Sequence, residues 1–113
     1  MSIATGAKTF PDPWEPVRDR ATVAVLGKLL EELGEAASAS SRCLIQGIGE
    51  SEPVTGKPNR EWLEDELADV LNIAQLTIEH FGLDHRRIAA RVQQKRGFLS
   101  RWFAALRRER TPA

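Results

Sequence analysis

The chain has one cysteine, Cys43, and no tyrosine among its 113 residues. A single thiol excludes an intrachain disulfide, and with only two histidines no Cys/His set of zinc type can be assembled. Long apolar runs are missing, which excludes a membrane-spanning helix. The N-terminal stretch MSIATGAKTFPDPW lacks the apolar core of a signal peptide. An excess of charge is missing too: 16 Lys and Arg balance 16 Asp and Glu. No overall field draws such a chain to an anionic membrane or to nucleic acid, and no nucleic-acid recognition motif is visible. These absences lead to the expectation of a soluble cytoplasmic protein with neither a membrane nor a nucleic-acid partner. Alternating strand patterns and repeats of solenoid period are likewise absent, so the expected fold class is all-α.

What is present reads as a single domain over 1–113, with an irregular arm at 1–15, a long loop at 46–59 and a tail at 109–113. A chain of this length buries roughly 65% of its unfolded surface, enough for a core with little to spare. Pro11, Pro13 and Pro16 resist helix and sheet in the arm, where Phe10 and Trp14 are expected to pin it to the body. The spacing predicts a first helix beginning between Pro16 and Thr22 and running to about Leu44. Its apolar residues, among them Val25, Leu26, Leu29, Leu30, Leu33 and Ala36, fall on one broad arc at about 100° per residue. Three glycines and two prolines in QGIGESEPVTGKPN argue against regular structure over 46–59. A second helix is expected from Asn59, read as an N-cap, to Gly82, read as a left-handed terminator. A third is expected from an Asp84 cap to about Arg108, with Ile88, Val92, Leu99, Trp102, Phe103 and Leu106 as its apolar stripe.

Two acidic pairs carry the chemistry. Glu32 and Glu35 lie in KLLEELGEAA, Glu66 and Asp69 in EDELADVL, each at i, i+3, so each pair presents both carboxylates from one helix face. On the helical wheel Glu66 and Asp69 fall inside the apolar stripe, Glu32 falls at the edge of its arc, and Glu31, Glu64 and Asp65 fall outside. An isolated charge in a buried stripe costs several kcal/mol or more, so these acids need an ion pair or a cation. The second helix supplies no basic partner for Glu66 and Asp69. Four carboxylates on two helices suit hard divalent cations such as Mg²⁺, with Mn²⁺ as a substitute, and such clusters act on phosphates. Arg and Lys crowd 86–110, a distribution that suits a site holding both metal and phosphate. Asn72, one turn after Asp69, is placed to hydrogen-bond ribose, base or metal-bound water.

The pattern Glu31-Glu32-Leu33-Gly34-Glu35 followed by Glu66-Leu67-Ala68-Asp69 resembles that of the all-α nucleoside triphosphate pyrophosphohydrolases, the MazG-like superfamily. The flanking GKLLEELGEAASASSRCLIQGI and GKPNREWLEDELADVLN are similar to the short MazG-like proteins of phages and prophages. The resemblance covers roughly residues 22–103. It implies a helical bundle, homodimeric or homotetrameric, that binds Mg²⁺ through Glu32, Glu35, Glu66 and Asp69, with Glu31 less critical. It implies cleavage of a nucleoside triphosphate between the α and β phosphates, giving the monophosphate and pyrophosphate. The segment QQKRGFLSRW resembles the basic segment of relatives, which makes Lys95 a phosphate contact, with Arg96 and Arg101 behind it.

Three helices leave an acid-lined apolar face poorly covered, so two chains are expected to complete a four-helix-bundle-type core. The competing function is a non-catalytic helical partner or regulatory module of the same fold. A di-metal redox bundle is disfavoured, because it needs Glu-x-x-His pairs and neither His80 nor His85 supplies one.

Overall fold

The computed structural model describes residues 15–109. It contains three helices, α1 (Arg20–Gln46), α2 (Asn59–Phe81) and α3 (His85–Glu109), and no sheet among the described residues. The fold is all-α, as expected. The arm residues Phe10, Pro11, Pro13 and Trp14 lie outside the described residues. The chain divides into two compact units, Met1–Phe81 and Gly82–Ala113.

The first unit is an α1–α2 hairpin. Asp19 starts α1 as an N-cap in extended conformation. Its carboxylate accepts from Thr22 N at 2.9 Å and from Thr22 Oγ1 at 2.7 Å, and these bonds hold its pKa below the usual carboxylate value. Gly47 ends the helix at φ 104, donating its N–H to Cys43 O at 2.9 Å. The connector is more ordered than its glycines and prolines suggest, because Glu52 organises it. Its carboxylate accepts from Val54 N, Thr55 N and Thr55 Oγ1 at 2.9, 2.7 and 2.7 Å. Its carbonyl accepts from Gly56 N at 2.8 Å, and Ser51 and Pro58 form one isolated antiparallel bridge.

Asn59 does not act as the N-cap. Pro58 O accepts from Glu61 N and Trp62 N at 3.0 and 3.1 Å, while Asn59 is fully buried and turns its side chain back to α1. Its Nδ2 donates to Gln46 Oε1 at 3.1 Å and to Gly47 O at 3.0 Å, so one side chain latches the end of α1 to the start of α2.

A line of residues shielded from solvent runs along α1 as Thr22, Val25, Leu29, Glu32, Ala36, Ala39 and Cys43 and along α2 as Asn59, Leu63, Glu66, Val70, Ile73 and Thr77, with Arg42, Trp62, Ala74, Ile78 and Phe81 partly covered off this line. Alternating steps of three and four mark a narrow coiled-coil-like seam. The broad apolar arc of α1 is therefore only partly used. Leu26, Leu30 and Leu33 remain 41%, 70% and 46% exposed, and Leu71 on α2 is 72% exposed.

In the second unit Gly82 turns the chain at φ 59 and Asp84 caps α3, accepting at Oδ1 from Arg86 N and Arg87 N at 3.0 and 3.1 Å. Both agree with the sequence reading. No residue of α3 is buried, and Leu99, Trp102 and Phe103 stand more than half exposed.

Replacing Asn59 by Ala removes both latch bonds, taking the Asn59 donor from Gln46 Oε1 and leaving the Gly47 carbonyl with Glu50 N alone. The expected loss is about 1–3 kcal/mol, read as a lower midpoint in thermal or urea unfolding. An unchanged midpoint would show that the latch contributes nothing.

Candidate metal and phosphate site

Antiparallel packing of α1 on α2 brings the two acidic pairs together. Glu32, Glu35, Glu66 and Asp69 each offer a carboxylate oxygen, and these atoms all lie within 4.8 Å of one another. Such a group can hold a divalent cation, since hard cations take several carboxylate oxygens in a shared shell.

The burial order differs from the helical-wheel expectation. Glu32, placed at the edge of its arc, is the most buried acid at 6% exposed; Glu66 is half-buried, and Asp69, expected inside the stripe, is exposed along with Glu35. The reason is the seam. The partner helix covers the Glu32–Ala36–Ala39 line rather than the centre of the apolar arc, and on α2 it leaves Asp69 on the flank.

Lys28, one turn before Glu32, is the counter-charge present: its Nζ lies 3.1 Å from Glu32 Oε1 and 3.4 Å from Glu31 Oε1. These two carboxylates, Glu32 foremost, hold the Lys28 ammonium pKa above its ordinary value. Glu31 is thus occupied with Lys28 and stands outside the cluster. The pairing covers only part of the charge. Glu32 Oε2 and Glu66 Oε2 are buried without a hydrogen-bond partner. The negative charge of Glu32 raises the pKa of the Glu35 carboxyl, assisted by desolvation and by the neighbouring Glu66. Orphaned, buried, all-oxygen acceptors crowded against one another fit a hard divalent cation.

The cluster lies midway along one flank of the hairpin, here called the groove, on which the helical repeat aligns residues of both helices. On α1, Lys28, Glu35 and Arg42 are seven apart, and on α2 Trp62, Asp69 and Leu76 are seven apart, so each trio shares one helix flank. At one end an open cleft of about 490 Å³ is lined by Lys28, Glu32, Asp69, Asn72, Ile73 and Leu76. At the other, Arg42 Cζ and Lys57 Nζ lie 5.5 and 4.2 Å from the Trp62 ring centroid. Asp65 fixes Lys57 at 2.5 Å and raises its pKa.

Of the residues singled out by sequence, the hairpin gathers all four acids and sets Asn72 beside them. Lys95 belongs to the second unit, where it lies with Arg101 near the Phe98 ring, at 5.9 and 4.9 Å from its centroid. Sequence reasoning missed Lys28, Arg42, Lys57 and Trp62. The seven-residue spacing through Glu35 and through Asp69 was the available signal for three of them.

Residues 3–96 match the phosphoribosyl-ATP pyrophosphohydrolase family. The chain belongs to that family. No curated protein and no solved structure matches it significantly. The match carries the reading of a pyrophosphohydrolase-family chain, of hydrolase class acting on acid anhydrides and on nucleotide-like substrates. Among the described residues no helix is long and apolar enough to cross a membrane.

If the crowded carboxylates lack their cation, neutralising one of them relieves repulsion. Glu35→Gln is therefore expected to melt no lower than the parent chain in a chelator. Added Mg²⁺ or Mn²⁺ should raise the melting temperature of the parent more than that of the variant. Equal metal shifts in both would remove Glu35 from the cation site.

Proposed function

We propose that the protein is a MazG-like nucleoside triphosphate pyrophosphohydrolase that requires a divalent cation, Mg²⁺ with Mn²⁺ as substitute. It converts a ribo- or deoxyribonucleoside triphosphate to the monophosphate and pyrophosphate, in control or cleansing of the cytoplasmic nucleotide pool. The observation that carries this reading is the acid cluster: four carboxylates within 4.8 Å, two of them with buried orphan oxygens, in a chain of a pyrophosphohydrolase family.

Glu32, Glu35, Glu66 and Asp69 would hold the cation. When bound, it supplies charge neutralisation on the phosphates and an acidified water. The protein's own contributions follow from burial. Glu32 and Glu66 sit in the seam, where their side chains have little freedom, and they fix the centre of the site. Glu35 and Asp69 face solvent and can accept a proton from the attacking water at a carboxylate oxygen. The water oxygen bonds to the α phosphorus, the bridging oxygen to the β phosphorus departs with the electron pair, and pyrophosphate leaves. Asn72 borders the nucleoside. Lys95 is retained as a phosphate contact on the resemblance.

The family description favours a second substrate, phosphoribosyl-ATP, which carries the same type of phosphoanhydride. A pyrophosphate-release screen with Mg²⁺ over ribo- and deoxyribonucleoside triphosphates and phosphoribosyl-ATP separates the two. Glu66→Gln is expected to lower the rate at least about 100-fold. Release from no substrate would favour the non-catalytic partner module, and full activity of the variant would sink the site.

The partly exposed Leu26, Leu30 and Leu33 on α1 and Leu67 and Leu71 on α2 support a second copy packing on the hairpin to complete a four-helix core. Light scattering at micromolar concentration should give a dimer or tetramer mass, and Leu30→Asp with Leu71→Asp should lower it. A monomeric parent chain would count against assembly.

A further inference from the structure

The groove through the acid cluster differs at its two ends. Four buried side-chain polar atoms among the described residues lack a hydrogen-bond partner; Asn59 Oδ1 belongs to the latch, and the other three lie along the acid flank and need opposite things. Glu32 Oε2 and Glu66 Oε2, at the centre, are acceptors, whereas Trp62 Nε1 is a donor. Buried polar atoms in folded proteins are nearly always paired. The centre therefore calls for a cation and the Trp62 end for an oxyanion.

The cations along the groove make the same division. Arg42 reaches the Trp62 ring at 5.5 Å and has no carboxylate within ion-pair distance among the described residues, although its charge acts from farther off on Glu52. Lys28, at the far end, already has Glu31 and Glu32 within ion-pair distance. There the cleft is completed by the Asn72 amide and the apolar Ile73 and Leu76. That end suits a planar group with hydrogen-bonding edges. It has no uncommitted positive charge for a polyphosphate. Lys28 to Arg42 spans 14 residues, about 21 Å of helix at 1.5 Å per residue, with Glu35 midway.

We propose that the groove binds its substrate in one direction. The departing diphosphate lies against the Arg42 guanidinium and the Trp62 indole N–H, and the nucleoside lies against Asn72, Ile73 and Leu76. This rests on the pyrophosphohydrolase reading and adds to it the orientation of the substrate and its phosphate anchor. Arg42 presents a planar fork of donors matched to phosphate oxygens. As the α–β bridging bond breaks, the electron pair stays on the bridging oxygen, and the pyrophosphate so formed is held by Arg42. The water proton goes to a carboxylate of the cluster at the opposite side of the reacting phosphorus. Lys57, fixed by Asp65, borders the same end and narrows it.

The test is calorimetric titration of the full chain in Mg²⁺ with inorganic pyrophosphate, and separately with whichever of AMP and the four deoxynucleoside monophosphates binds tightest. Arg42→Ala is expected to weaken pyrophosphate about tenfold or more and to leave the monophosphate within about twofold. Asn72→Ala should do the reverse. Trp62→Phe, which keeps the ring and removes the N–H, should weaken pyrophosphate several-fold. Arg42→Lys keeps the charge without the fork and serves as the second variant if the alanine variant unfolds; its expected effect is a smaller loss of the same sign. Absence of pyrophosphate binding to the parent chain overturns the proposal, as does an Arg42 variant that weakens the monophosphate instead or neither ligand. Pyrophosphate binding needs no turnover. Arg42-dependent binding in a chain that hydrolyses nothing upholds the anchor and refutes the enzymatic reading, whereas active enzyme with Arg42-independent pyrophosphate binding does the opposite.

Discussion

Everything in the hairpin is arranged around a repulsion. Glu32 and Glu66 occupy positions of the α1–α2 seam where an ordinary two-helix packing would place aliphatic side chains, and Glu35 and Asp69 add their charges from the flank. Lys28 offsets one of the four. A helix pair chosen for stability alone would not carry this arrangement, because buried carboxylates are costly without full compensation. The hairpin compensates at its ends: Asp19 caps the entry to α1, and the Asn59 latch and the Glu52-centred turn tie the two helices together at the loop. Backbone order is thus concentrated at the two ends of the hairpin, away from the four crowded acids.

Much of this was legible in the residues. Asp19, Gly82 and Asp84 mark helix boundaries through local chemistry, within a residue or two of themselves, and local chemistry survives in a sequence. The i, i+3 acids were legible for the same reason: their shared face depends only on helix geometry. Family membership agrees with the resemblance at the level of an all-α pyrophosphohydrolase. What sequence could not supply was the choice made by a partner. Which stripe of α1 is covered is decided by α2, so Glu32 and Asp69 exchanged their expected degrees of burial. Asn59 has the composition of a cap but is engaged by the far end of α1. Trp62 looked like one more apolar residue until Arg42 and Lys57 were found beside it.

The groove and the uncovered leucines lie on different flanks of the same pair of helices. Glu35 and Asp69 project to one side of the seam, and Leu33 and Leu71 to the other, at the angles that a seven-residue repeat imposes. Association through the leucine flank would leave the acid flank open. A two-helix unit that has Ala39 and Ile73 as its only buried apolar residues among those described has little core of its own. Anything that binds the folded hairpin stabilises it by mass action.

The latch at Asn59 also bears on how the chain reaches this structure. Its bonds to Gln46 and Gly47 close loops of only 13 and 12 residues in sequence separation. Closing such short loops costs little chain entropy, and contacts of this kind form early relative to distant ones. The four acids, separated across the hairpin by 31 residues or more, meet through the more distant contacts and so carry the larger closure cost together with their mutual repulsion.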